Sequence, residues 1–151
     1  MDPSFAVHQR ILAIDYGRVR LGLAVSDGLG LASHPLPALR RADPARDRSA
    51  LRDVIESRSI ERLVVGLPLN MDGSEGGMAT EARRWATALA EALELPLTME
   101  DERLSTDEAE SWLQQFGLRP SERRKLRDSV AAAVILQGVL EREAREASES
   151  D

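Results

Sequence analysis

The first apolar run of the chain, Ile11 to Ile14, stops on a carboxylate: Asp15 follows directly and Gly17 comes two residues later. So short and continuous a run reads as a buried strand. A second run, RLVVG at 62–66, is bounded by Gly66 and Pro68 and reads as a buried parallel strand. Strands of this kind need helices packed on them, which commits the chain to layers of helix and sheet.

RLGLAVSD, separated from the first run by YGRV, predicts a second strand in a hairpin with it. SHPLPALR predicts a third, confined by Pro35 and Pro37 to a sheet edge. DPARDRSALRDVIESR predicts a helix with Asp43 as N-cap, Pro44 at its first position, and Leu51, Val54 and Ile55 on one face. ATEARRWATALAEALE predicts another, with Trp85, Leu89 and Leu93 at helical spacing. LPLTMEDE reads as a further strand, and Ser105 and Glu108 as a capping box for TDEAESWLQQF. A last helix is expected from Asp128, and the tail REASESD reads as frayed. The order of strands and helices predicts a single α/β domain over 1–151, with flexible ends at 1–9 and 145–151. Its sheet is parallel in the later strands, with an antiparallel meander at one side.

Composition limits the chemistry. There is no cysteine, and the two histidines, His8 and His34, are far apart in sequence, so any metal must be held by oxygen. His34 reads as structural. The N-terminus lacks the apolar core of a signal peptide, and no run has the length of a membrane span, so a cytoplasmic location is expected. The net charge of -6 argues against a nonspecific nucleic-acid coat, yet Arg119, Arg123, Arg124, Lys125 and Arg127 form a dense basic cluster in an expected loop.

Ligands of such sheets gather beyond the carboxyl ends of the strands, and the acids are found there. Asp15 ends the first strand, Asp101 and Glu102 end the last, and Asp128 opens the final helix. Each alone has an ordinary explanation as turn former, first-turn acid or N-cap. Brought together they repel unless a cation compensates them, and Mg²⁺, which takes carboxylates, waters and substrate phosphates, is the natural candidate. Neighbours on a strand face opposite ways, so only one of Asp101 and Glu102 faces the metal comfortably.

DYGRVRLGLAVSD, VVGLPLNMDGSEG, DERLST and DSVAAAVIL, in this order, resemble the four signature blocks of the YqgF family. These are Holliday-junction-resolvase-like proteins, also described as pre-16S ribosomal RNA nucleases, of the ribonuclease H-like superfamily. The resemblance runs from Ile11 to Glu141. It implies a ribonuclease H-like mixed five-stranded sheet with flanking helices, and a catalytic, metal-holding trio that falls on Asp15, Glu102 and Asp128. It also implies hydrolysis of phosphodiester bonds with two Mg²⁺ or Mn²⁺ ions, Asp15 being the candidate to bridge them.

Arg18 stands where the wider superfamily often has a small hydroxyl residue, and is expected to contact a scissile phosphate. Arg123, Arg124 and Lys125 are expected to form a mobile flap on the nucleic-acid backbone. The glycines of NMDGSEGG either make a plain connection or let backbone N–H groups approach a phosphate, with Asn70 and Glu75 shaping the cleft. The substrate is a precursor ribosomal RNA or branched DNA, handled by a monomer or a weak homodimer. Two other readings stand beside this one: a non-catalytic RNA-binding factor in ribosome biogenesis, and a fragment related to sugar kinases and actin. The single Tyr16 near the acids disfavours a base-stacking platform, and one small domain lacks the second half that encloses a nucleotide.

Overall fold

The computed structural model describes residues 9–68, 72, 74–102, 114, 115, 117 and 119–149, with Glu102 described by its backbone alone. Strands β1 (Ile11–Asp15), β2 (Arg20–Ser26), β3 (Ser33–Arg40), β4 (Arg62–Pro68) and β5 (Leu97–Glu102) form one sheet in the order β3-β2-β1-β4-β5. β1 pairs antiparallel with β2 and parallel with β4, which pairs parallel with β5. The hairpin, the edge position of the Pro-containing β3 and the parallel half are as the sequence patterns require. A Cβ at position 17 would lie 2.4 Å from the carbonyl oxygen of Arg20, so the β1–β2 turn needs glycine there.

Helix α1 (Pro44–Ser57) starts at Asp43, whose side chain accepts from the Arg46 N–H. Helix α2 (Gly77–Leu93) packs Ala82, Ala86 and Leu89 inward. Both lie over the sheet face that presents Leu12, Ile14, Leu21, Leu23, Leu63 and Val65. The opposite face presents Ile11, Ala13, Ala24 and Val64 to Ala132, Ala133, Leu136 and Val139 of the last helix. Small residues on both partners let that helix lie close on the sheet.

Three expectations change near the C-terminus. The basic segment contains a helix, α3 (Pro120–Leu126), opened by Pro120 at its first turn. Asp128 does not open the last helix: it sits inside a 3₁₀ turn, Arg127–Ser129, and α4 begins at Val130 (Val130–Glu149). α4 also runs through residues 145–149, where fraying was expected. Nearby, Arg62 and Arg142 tie it to the sheet through Glu143 and Glu100. The Ser105–Glu108 capping box and the helix expected after it lie outside the described residues. Among the described residues no helix is long and apolar enough to cross a membrane.

Candidate active site

Alternation along β1 sends Ile11, Ala13 and therefore Asp15 to the α4 face. The same rule applies to β5, where Leu97 and Met99 pack on the α1–α2 side while Glu100 reaches Arg142 on α4. Position 102 thus shares the α4 face with Asp15, at the same end of the sheet, with β4 between them. The side chain of Glu102 lies outside the described atoms.

The register sets a glycine on each side of Asp15, Gly22 on β2 and Gly66 on β4. At Gly22 the reason is explicit. A Cβ there would lie 1.9 Å from the carbonyl oxygen of Asp128 and 3.2 Å from the Cβ of Asp15. The 3₁₀ turn therefore presses its backbone onto β2 where the side chain is missing, and Asp128 comes to rest beside Asp15. A glycine inside a strand is the sequence sign of such a close approach.

The turn is held by Ser129, which is fully buried. Its Oγ accepts from the Leu23 N–H at 3.0 Å and donates to the Leu36 carbonyl at 2.5 Å. The β2–β3 ladder is irregular here: Leu21 faces Leu39 but Leu23 faces Leu36, so Gly22 stands opposite two residues, Pro37 and Ala38. Pro37 has no N–H to give the ladder.

Next to Asp128 lies an open cleft of about 450 Å³ lined by Arg20, Pro37, Ala38, Arg124, Lys125, Arg127 and Asp128. Arg20 Nε is 3.8 Å from Asp128 Oδ2, both side chains being half exposed. Two of the four basic residues expected to meet nucleic acid, Arg124 and Lys125, line this cleft, whereas Arg18 and Arg123 do not. Arg127 of the same basic cluster joins them, as does Arg20 from β2, which no local pattern groups with them.

Arg18 belongs to a different neighbourhood. Its Nε and Nη2 each donate to Glu81 at 3.1 Å, and the Tyr16 hydroxyl donates to the same carboxylate at 2.6 Å. Arg41 stacks over Tyr16 and Trp85, with its Cζ 5.2 and 5.6 Å from the ring centroids. It also donates to the buried Asp47 at 3.2 Å and to the Gly17 carbonyl at 3.1 Å. Arg18 and then Tyr16 hold the Glu81 carboxyl below its ordinary range. Burial, then the bond to Glu81, lifts the Tyr16 hydroxyl above its own. Arg18 in this arrangement grips α2.

His34 is exposed on β3 opposite Val25, near the other end of the sheet from the acids. Glu75 pairs with Arg83 at the start of α2, and Asn70 lies outside the described residues. Among the described residues no three His, Cys, Asp or Glu side chains are gathered as a metal cage.

The chain is 48% identical over 135 residues to a protein of Anaeromyxobacter sp. (strain K) named "Putative pre-16S rRNA nuclease", covering 89% of this chain and 98% of that one. It is 43% identical over 141 residues to a protein of the same name from Koribacter versatilis, covering 93% and 92% of the two chains. Its fold is similar to that of T. thermophilus RuvC, solved in complex with a Holliday junction substrate. The TM-score is 0.56 at 19% identity, over 91% of this chain and 96% of that one. Residues 9–142 match the model of the RuvX family, described as Holliday junction resolvase, and the chain belongs to that family.

Proposed function

We propose that this protein is a divalent-metal-dependent endonuclease that hydrolyses phosphodiester bonds in precursor 16S ribosomal RNA. The observation that carries the reading is the meeting of Asp15 and Asp128 at Gly22, on the sheet face where position 102 also falls. The relatives' shared name supplies the substrate.

Asp15, Glu102 and Asp128 are the residues that would hold Mg²⁺ or Mn²⁺. The donor set fits a hard cation, since the candidates are all carboxylates and the chain has no cysteine. A bound pair of such ions supplies water activation and charge neutralisation at the leaving oxygen. The rest of the work belongs to the chain. Asp15, on a rigid buried strand, and Asp128, in a turn pinned to β2, keep two carboxylates side by side. Arg124, Lys125, Arg20 and Arg127 line the approach and neutralise backbone phosphates. Arg123, on the same short helix, adds to the field over the cleft. Arg18 holds α2 through Glu81 and meets a phosphate only by leaving that carboxylate. A cytoplasmic monomer suffices for cutting one RNA strand.

Branched DNA is the second reading, favoured by the description of the matched family. Cutting a symmetric junction calls for two sites related by a two-fold axis, and so for a dimer. The test is incubation of the purified protein with Mg²⁺, Mn²⁺ or EDTA and a precursor rRNA fragment, a four-way junction or linear duplex DNA. Metal-dependent cutting of the RNA, lost in a folded Asp15→Asn protein, is the expected result. Cutting of the junction alone moves the assignment to the second reading, and RNA binding without cutting makes the protein a binding factor.

A further inference from the structure

Ser129 has no obvious part in hydrolysis, yet it is wholly buried and its hydroxyl makes two bonds to backbone atoms of different strands. Leu23 and Leu36 are register partners on β2 and β3. The hydroxyl accepts from the N–H of one and donates to the carbonyl of the other, so it relays a bond of the kind that such partners exchange within a ladder. The place is where the ladder is already open, because Gly22 faces both Pro37 and Ala38. One residue earlier, the Asp128 carbonyl occupies the space that a Cβ on Gly22 would fill. The 3₁₀ turn is thus plugged into the sheet at two consecutive residues, one by a hydroxyl and one by close backbone contact.

We infer that Ser129 and Gly22 are positioning residues for the cleavage site: the irregular β2–β3 ladder is a socket, and the Asp128–Ser129 turn is the plug that sets the Asp128 carboxylate against Asp15. This rests on the nuclease reading above. A surface helix start would leave Asp128 free to move by the width of a turn, whereas two carboxylates sharing a cation tolerate far less. Without the hydroxyl, the Leu23 N–H and the Leu36 carbonyl lose the group that joins them, and the turn loses its hold on both strands. With a methyl group at position 22, the carbonyl of Asp128 must back away, and a backbone atom cannot do so without carrying its side chain along.

The test compares Ser129→Ala and Gly22→Ala with Val139→Ala, a cavity in the buried side of α4 remote from the acids. All are studied at a temperature where circular dichroism shows them folded. Two quantities are read: kcat and KM for the RNA fragment that the wild type cuts, and the Mg²⁺ concentration at the midpoint of thermal stabilisation without RNA. Groups that orient a metal-holding side chain are worth about 10- to 100-fold in affinity or rate. Ser129→Ala and Gly22→Ala are expected to lose about that much in kcat with KM little changed, and to need correspondingly more Mg²⁺. Val139→Ala, though less stable than wild type, keeps both values. A folded Ser129→Ala or Gly22→Ala with the kcat and Mg²⁺ midpoint of Val139→Ala overturns the inference, and Gly22→Ala alone decides if Ser129→Ala does not fold. A wild type that neither binds Mg²⁺ nor cuts RNA removes the nuclease reading itself, a different failure from active variants.

Discussion

Asp15 and Tyr16 are consecutive, yet they serve opposite faces of the sheet, and their two neighbourhoods are built differently. Around Tyr16 the charges are matched: Glu81 takes Arg18 and the Tyr16 hydroxyl, and Asp47 takes Arg41, which two aromatic rings cover. On the Asp15 side the Asp128 backbone is pressed onto β2 beside Asp15, and the half-exposed Asp128 carboxylate lies 3.8 Å from Arg20 Nε. Matched charges in a half-buried cluster hold elements together. Acids gathered at one end of a sheet repel unless compensated, and make sense where a cation and a phosphate are to arrive. The packing follows the same division, with Leu, Ile and Val under α1 and α2 but Ala-rich packing under α4.

If that contrast is right, substitutions on the two sides must fail differently. The largest effect belongs to Asp15→Asn: a loss of cleavage of more than about 100-fold, the loss that already attends removal of a group merely orienting a ligand. Its metal-free stability should stay close to that of wild type, because Asn keeps the shape of the side chain. Arg41→Ala should do the reverse. It leaves Asp47 buried without its guanidinium and is expected to cost about 3 kcal/mol, the low end for a broken buried pair because the Ala42 N–H still serves Asp47. Equilibrium denaturation and single-turnover cleavage on both proteins would show whether the two losses separate.

The basic cleft sharpens the picture on the Asp15 side. Changing Arg124, Lys125 and Arg127 together to Ala should weaken RNA binding for every sequence alike. The slope of log affinity against log salt should fall by about 0.7 for each phosphate of a single strand that is no longer neutralised. A titration at several salt concentrations reads this directly, and an unchanged slope would make the cluster plain solvated surface.

A smaller effect is expected from Glu81. Its folded pKa is depressed, so what it adds to stability is present above its unfolded pKa, about 4.3, and is lost as pH falls through the folded value. Exposed pairs contribute little. Glu81→Gln should therefore be slightly less stable than wild type at pH 7 and converge with it in acid, as read from denaturant midpoints between pH 7 and 3. Cleavage at neutral pH should change little. A loss as deep as that of Asp15→Asn would mean that the Tyr16 side takes part in the chemistry.

The two sides were also unequally legible in the sequence. β1, the Pro-marked edge strand and the start of α1 at Asp43–Pro44 are written in local patterns, and the acids point to a site only when taken together at the strand ends. What local pattern does not carry is pairing across the fold. Ser129 lies 106 residues from Leu23, and Arg18 lies 63 from Glu81, so neither pairing has a periodic trace. Arg18 therefore looked like a phosphate ligand on account of its place beside Gly17, when a carboxylate from α2 claims it. The helix in the basic segment was hidden by a composition of charged residues with no apolar stripe, and none of its residues is buried. Gly22, a glycine inside a strand, is a local trace of one such approach, but its meaning shows only in the fold.

The central claim is that Asp15 and its companion acids form a cation site. It is tested most directly by thermal melts of wild type and Asp15→Asn, with and without Mg²⁺ at matched ionic strength, so that general screening is not taken for binding. For a site with a dissociation constant of roughly 1 mM and tenfold saturation, mass action adds about 1.4 kcal/mol. That corresponds to a rise of about 3 to 5 °C for a chain of this length. The expected result is that rise in wild type and its loss in Asp15→Asn. An equal gain in both proteins would contradict the claim.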